Sequence, residues 1–145
     1  PILVDSVIKF VKKSDKDYGS NVLIEHFPDG QDIEVFKFSA LQKAWKKATL
    51  KSELEHVTPF IKKNSDFNGK DIFSSINFPS KENYSKIRMT VDEKEDLELI
   101  KVLVENLGFK CTWEQYTDYI INNNLDKINN KFIRNDGYIK SLKNE

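Results

Sequence analysis

The sequence predicts a mixed α/β fold, and three observations carry that reading. Short β-type runs are interspersed with longer stretches whose apolar residues recur at helical spacing. Turn chemistry and helix-start signatures punctuate the joins, among them Pro28-Asp29-Gly30 and Thr112-Trp113-Glu114-Gln115. The 145 residues are 39% hydrophobic and 12% aromatic, enough to give one domain, 1–145, a sizeable core.

Along the chain, Val4, Val7, Ile8 and Val11 define an amphipathic opening helix, followed by Lys12-Lys13. Asp17 to Ile24 contains a candidate strand that Gly19 weakens. After the Pro28-Asp29-Gly30 turn, Ile33 to Phe38 reads as a strand. There Phe36 breaks strict alternation and points to burial on both faces. Ser39-Ala40-Leu41-Gln42 and Ser52-Glu53-Leu54-Glu55 have capping-box spacing and predict two helix starts. Thr58-Pro59 predicts an interruption and a new turn through Phe60, Ile61 and Lys62.

Two further strands are expected, Asp71 to Phe78 and Ile87 to Val91, joined by the polar segment Pro79 to Lys86. Leu97, Ile100, Val104 and Leu107 then mark a helix that Gly108 ends. A capping box at Thr112 leads another helix through Ile121. In the tail a short helix with Ile128, Phe132 and Ile133 facing inward is expected.

Composition narrows the function. Lys plus Arg and Asp plus Glu each count 23, so zero net charge gives no reason to expect nucleic acid or an anionic membrane as partner. The single cysteine, Cys111, forms no internal disulfide and suits a reducing compartment, so a cytoplasmic location is expected. No apolar run approaches the length of a membrane span. There is no Cys/His metal cluster, no Gly-x-Ser-x-Gly elbow and no Walker-type loop.

The residue types leave alternatives open. Asp92 sits where a β-type run meets an acidic-headed helix. It can cap that helix, with Glu95 completing a capping box, or hold a divalent metal, or do both. Asp29, Asp32 and Glu34 surround a glycine turn; they form a solvated turn, or bind a metal or sugar hydroxyls. His56, beside Glu55, is a partly exposed helical histidine, a general base or a polar binder. Trp45 and Trp113 read as core or edge packing, with sugar or partner stacking as the sharper alternative.

Three ordered blocks then point to a family: Phe27-Pro28-Asp29-Gly30-Gln31-Asp32-Ile33-Glu34-Val35-Phe36, Glu55-His56-Val57-Thr58-Pro59-Phe60, and Met89-Thr90-Val91-Asp92 with Glu95-Asp96-Leu97-Glu98-Leu99. Together with Asn135-Asp136-Gly137-Tyr138-Ile139-Lys140-Ser141-Leu142, they resemble the cytidylyltransferase-like family. The nearest branch is the spore-coat polysaccharide biosynthesis type, related to enzymes that make CMP-linked acidic sugars. The resemblance implies a three-layer nucleotide-diphospho-sugar transferase sandwich. It also implies transfer of CMP from CTP onto a sugar hydroxyl, with Mg2+ neutralising charge and pyrophosphate leaving.

By that resemblance Asp92 matches the family's C-terminal metal-binding aspartate, while Asp29, Asp32, Glu34 and His56 fall in segments used around the sugar. The family's Gly- and Arg-containing nucleotide loop and its second metal-binding aspartate have no counterpart here. Pro1-Ile2-Leu3 resembles the point just after that aspartate. The expectation is thus the C-terminal half of a catalytic domain acting in surface-polysaccharide or glycoconjugate synthesis, inactive alone and able to form a homodimer. The alternative is a non-catalytic sugar- or protein-binding remnant of the fold.

Overall fold

The computed structural model describes residues 1–142. They contain seven α-helices, two 3-10 turns and three short strands, so the α/β class holds. Two compact units are present. Among the described residues the first comprises 1–24, 33–80 and 135–142; the second comprises 25–32 and 81–134.

In the first unit, α1 (Ile2–Ser14) buries Val7 and Val11 from its apolar stripe, and Asp15 closes it in the left-handed conformation. The sheet has the order β2-β1-β3. Its central strand is β1 (Tyr18–Ser20), buried throughout. β2 (Glu34–Phe36) pairs antiparallel, with Tyr18 opposite Phe36, and β3 (Ser75–Asn77) pairs parallel, with Tyr18 opposite Ser75. Gly19 serves this strand rather than weakening it. A Cβ there would lie 2.2 Å from Val11 Cγ2, so only glycine lets α1 lie this close to the sheet.

Helices α2 (Phe38–Lys47), α3 (Lys51–Glu55) and α4 (Pro59–Lys63) follow, and α7 (Asp136–Leu142) ends the unit. The core comprises Tyr18, Leu23, Ala40, Ala44, Phe60, Ile61 and Phe73. Each large side chain fully buried there contributes about 1.5–3 kcal/mol by leaving water.

Several expectations are corrected in this unit. Helices α2 and α3 begin ahead of Ser39 and Ser52, with Lys37 and Leu50 at the cap positions. α2 buries Ala40 and Ala44, and Ser52 ends up buried inside α3. Pro59 does open α4 after Thr58, although the Thr58 side chain makes no capping bond. Phe36 is half-buried on an edge strand, not buried on both faces. Within 71–78 only Ser75–Asn77 forms a strand, although an isolated bridge joins Ser65 to Phe73.

The second unit is built around α5 (Lys94–Leu107) and α6 (Trp113–Asn122), with a 3-10 turn at Leu125–Ile128. Its core is Ile87, Met89, Leu99, Leu103 and Ile120, with Ile128 packed against it. The capping box at Thr112 and Gln115 forms as expected, and Gly108 ends α5 with φ 72°. The run 87–91 is no strand: Arg88 makes a single parallel bridge with Asp29, and Val91 is exposed. Trp113 packs against Phe27 and Tyr84, with ring centres 5.1 and 5.7 Å apart. Ile133, expected inside, is 67% exposed. Half-buried Cys111 donates its thiol to the Leu107 carbonyl.

Candidate functional site

The second unit holds the densest charge network among the described residues, and a backbone bridge builds it. The amide of Asp29 donates to the Ile87 carbonyl at 2.9 Å, and that of Met89 donates to the Asp29 carbonyl at 2.8 Å. The turn can dock this way because residue 30 is glycine. Its φ is 92°, and a Cβ would meet the Met89 carbonyl oxygen at 2.7 Å. Gln31 closes the turn with an amide bond to the Pro28 carbonyl at 3.1 Å.

The bridge sets Asp29 beside Arg88, both of them buried. Every nitrogen of the Arg88 guanidinium is engaged. Nε donates to Asp96 Oδ1 at 2.9 Å, Nη1 to Asp29 Oδ2 at 2.8 Å, and Nη2 to both Asp96 Oδ2 at 2.9 Å and Asp92 Oδ2 at 3.0 Å. The two parallel bonds to Asp96 have the fork geometry in which arginine binds carboxylate most strongly. The Arg88 guanidinium also lies 5.6 Å from the centre of the Phe132 ring.

Asp96 is the anchor. Its side chain is fully buried and also accepts from the Thr90 hydroxyl, the Asp92 and Glu93 amides, and Asn129 Nδ2. Burial alone would raise its pKa. The bonds from Arg88, Asn129, the Asp92 amide and Thr90 outweigh burial and hold the carboxyl well below the usual carboxylate range. Arg88 is in turn raised, chiefly by its bonds to Asp96.

This arrangement corrects the expected capping pair. The helix-start position is Glu93, and Asp96, three residues on, accepts from the Glu93 amide. Asp92 lies one residue outside, and Glu95 pairs with Lys131. The register shifts by one because Asp96, not Glu95, faces the buried guanidinium.

A second arginine extends the network. Arg134 Nη1 donates to the Phe27 carbonyl at 3.0 Å, and Nη2 bonds to Asp32. Its Nε is buried without a hydrogen-bond partner and faces the Asp29 and Glu25 carboxylates at 3.7 and 3.9 Å. Burial raises the Asp32 pKa; Arg134 opposes that rise, while Asp29 and Glu25 reinforce it.

The expected site residues therefore have distinct settings. Asp29 joins Asp92 through Arg88, and joins Asp32 through Arg134. Asp29 is not the solvated turn residue that composition allowed. Glu34 and His56 belong to the first unit and are held by separate partners. The Glu34 carboxylate accepts from the Tyr18 hydroxyl at 2.8 Å. His56 Nε2 lies 3.3 Å from Ser141 Oγ, with its ring edge-on to Tyr138. Trp45, expected to pack, is 76% exposed on α2.

Arg88, Asp96, Asn129 and Arg134 were not singled out by sequence reasoning. An arginine between Ile87 and Met89 in a buried run did signal an internal ion pair, because buried charge is rare unless paired. Arg134 carries no such local signal.

Asp92 is the network's exposed member, its side chain 69% accessible. Magnesium keeps several waters and takes one or two carboxylates plus phosphate oxygens, so Asp92 fits as a single ligand. No group of three or more His, Cys, Asp or Glu able to hold a metal occurs among the described residues.

Comparison with known proteins bears on the fold. A solved cytidylyltransferase from Leptospira borgpetersenii superposes with a TM-score of 0.75 at 24% identity, over 88% of this chain and 52% of that one. The chain has a cytidylyltransferase-like fold. An uncharacterised protein of Methanocaldococcus jannaschii is 30% identical over 139 residues, covering 94% of this chain and 54% of the relative. The chain thus spans about half the length of the proteins it matches. No family model matches it. No helix among the described residues is long and apolar enough to cross a membrane.

Proposed function

We propose that the chain is the sugar-side portion of a nucleotidyltransferase that joins CMP, from CTP, to a sugar in surface-polysaccharide or glycoconjugate synthesis. The observation that carries this reading is Asp92, held exposed by buried Arg88 within a cytidylyltransferase-like fold. Such transfer is mostly positioning and charge neutralisation, with little covalent work for the protein.

In this reading Asp92 contributes one carboxylate to Mg2+, which when bound neutralises phosphate charge. Arg88 orients that carboxylate from a buried, four-bonded position through one bond at 3.0 Å. Asp29 and Asp32 lie on the sugar side of the same network, with their geometry fixed by Arg88 and Arg134. Glu34 and His56 enter this reading by the family resemblance alone. Since the chain spans about half of its relatives, the nucleotide-gripping loop and the second metal ligand would come from preceding sequence. The reaction is expected in the cytoplasm, in a protein able to form a homodimer.

The test is pyrophosphate release from CTP with Mg2+ and candidate sugars. The chain alone is expected to give none, and a version extended at its N-terminus by the encoded upstream residues to give turnover. An extended protein that binds neither CTP nor Mg2+ would overturn the reading. UTP and GTP run in parallel establish the base.

A second reading, a non-catalytic binding module, draws on α2. There Phe38 and Trp45, seven residues apart and therefore on one helix face, are each 76% exposed. Its mark would be ligand or partner binding that Trp45→Ala abolishes and Asp92→Ala leaves intact.

A further inference from the structure

A cleft of about 300 Å³ opens in the second unit beside the charge network, at the small end of the size range for small-molecule sites. Ser85, Lys86, Asp126, Asn130, Arg88 and Arg134 are among its lining residues. We propose that this cleft binds an uncharged, hydroxyl-rich ligand, a neutral sugar or polyol, in preference to an acidic one.

The argument starts from what the two arginines have left to offer. An acidic ligand is gripped best by a free guanidinium fork. Arg88 has committed Nε, Nη1 and Nη2 to Asp96, Asp29 and Asp92. Arg134 has committed Nη1 and Nη2 to the Phe27 carbonyl and Asp32, and its Nε is buried against Asp29 and Glu25. Five carboxylates, those of Glu25, Asp29, Asp32, Asp92 and Asp96, thus surround two guanidinium groups. The surplus is negative. An incoming carboxylate or phosphate would enter that field and would find no free two-pronged fork on Arg88, whose Nε and both Nη nitrogens already donate to carboxylates.

The groups left free on the wall have another character. The Ser85 hydroxyl, the Lys86 ammonium, the Asp126 carboxylate and the Asn130 amide make no side-chain hydrogen bond or ion pair within the described residues. One cation and one anion cancel, and between them the four supply both donors and acceptors. A sugar hydroxyl donates one bond and accepts others, so it can pair with each of these groups. A carboxylate only accepts, and would leave Asp126 opposed by a like charge.

As the acceptor subsite of nucleotidyl transfer, the cleft rests on the function proposed above; its ligand preference does not. The two are separable by experiment. The isotope-labelled chain is titrated with methyl α-glucoside, methyl α-mannoside and N-acetylglucosamine, and separately with glucuronate, N-acetylneuraminate and inorganic phosphate, while backbone amide shifts are followed by NMR. At least one neutral probe is expected to shift Ser85, Lys86 and Asn130 with a Kd at least tenfold below that of every anionic probe. Asn130→Ala and Asp126→Ala should each weaken it at least fivefold without changing the melting temperature.

The proposal is overturned if an anionic probe binds the cleft as tightly, or if no neutral probe shifts those amides. Neutral-sugar binding in a protein whose extended form never releases pyrophosphate from CTP would sink the transfer reaction and leave the cleft's preference standing. Pyrophosphate release that requires an acidic sugar would do the reverse.

Discussion

Arg88 and Asp96 form a two-pronged ion pair, Nε to Oδ1 and Nη2 to Oδ2, both at 2.9 Å, with the Asp96 side chain wholly out of water. The pair is asymmetric in its dependence. Asp96 relies on Arg88 as its counter-ion, whereas Arg88 also has Asp29 and Asp92. Arg88→Ala should therefore destabilise more than Asp96→Ala, within the roughly 3–5 kcal/mol typical of breaking a buried pair. Urea unfolding of the two variants tests the ordering, and equal losses would contradict it.

Acid should reveal the same pair. The Asp96 pKa in the folded chain lies below its ordinary value of 3.8, so its protonation disfavours the fold. Its contribution is full above that ordinary value and is lost as pH falls toward the depressed folded one. Asp32, raised by burial, acts in the opposite sense and gains stability as pH falls through its higher value. Stability measured by urea unfolding from pH 6 to 2.5 should thus decline most steeply at the acid end. Asp96→Asn should flatten that limb; an unchanged slope would remove Asp96 from the account.

Gly30 is the position where the turn tolerates no side chain. With φ at 92° and a Cβ brought to 2.7 Å from the Met89 carbonyl oxygen, Gly30→Ala combines strain with a backbone clash. A loss of roughly 2–4 kcal/mol is expected. Gly69→Ala is the control: it has a positive φ but no atom within 4 Å of the added carbon, and should cost less. Thermal melts of both variants decide the point.

Asp92 should behave as a functional residue and not a structural one. Its pairing with Arg88 is exposed on the aspartate side, so Asp92→Ala should change stability by no more than about 1 kcal/mol. In an N-terminally extended, active protein the same change should lower pyrophosphate release at least a hundredfold. Retained turnover would remove Asp92 from the metal site.

The helix start at Thr112 gives an independent check on local structure. Its hydroxyl accepts from the Gln115 amide, and the Gln115 side chain accepts in return from the Thr112 amide at 2.8 Å. Thr112→Ala should cost about 1 kcal/mol. A neutral result in a urea melt would show that the cap is not needed there.

Local chemistry was readable where it acted alone. The Thr112 capping box, the Gly108 stop, the Pro28-Asp29-Gly30 turn and the apolar stripe of α1 all follow from spacing and residue type. What escaped depended on partners distant in the chain. Ser39 and Ser52 carry a cap signature, yet the packing of Ala40, Ala44 and Ser52 pulls the helix starts earlier. Asp92 and Asp96 are indistinguishable as letters four apart, and only the approach of Arg88 and Asn129 decides which is buried. Arg134 reaches back 102 residues to Asp32, a relation no local window contains.

The Asp29–Arg88 bridge also has a consequence for the order in which the chain can become structured. Its two amide bonds join segments 59 residues apart, and the buried Asp29 carboxylate meets the Arg88 guanidinium across that gap. Closing so long a loop costs entropy that a two-bond bridge cannot repay early, so this ladder should form late in folding. In the native protein the amides of Asp29 and Met89 should then exchange with deuterium at one shared rate. They would report a single cooperative opening in which turn and arginine are released together.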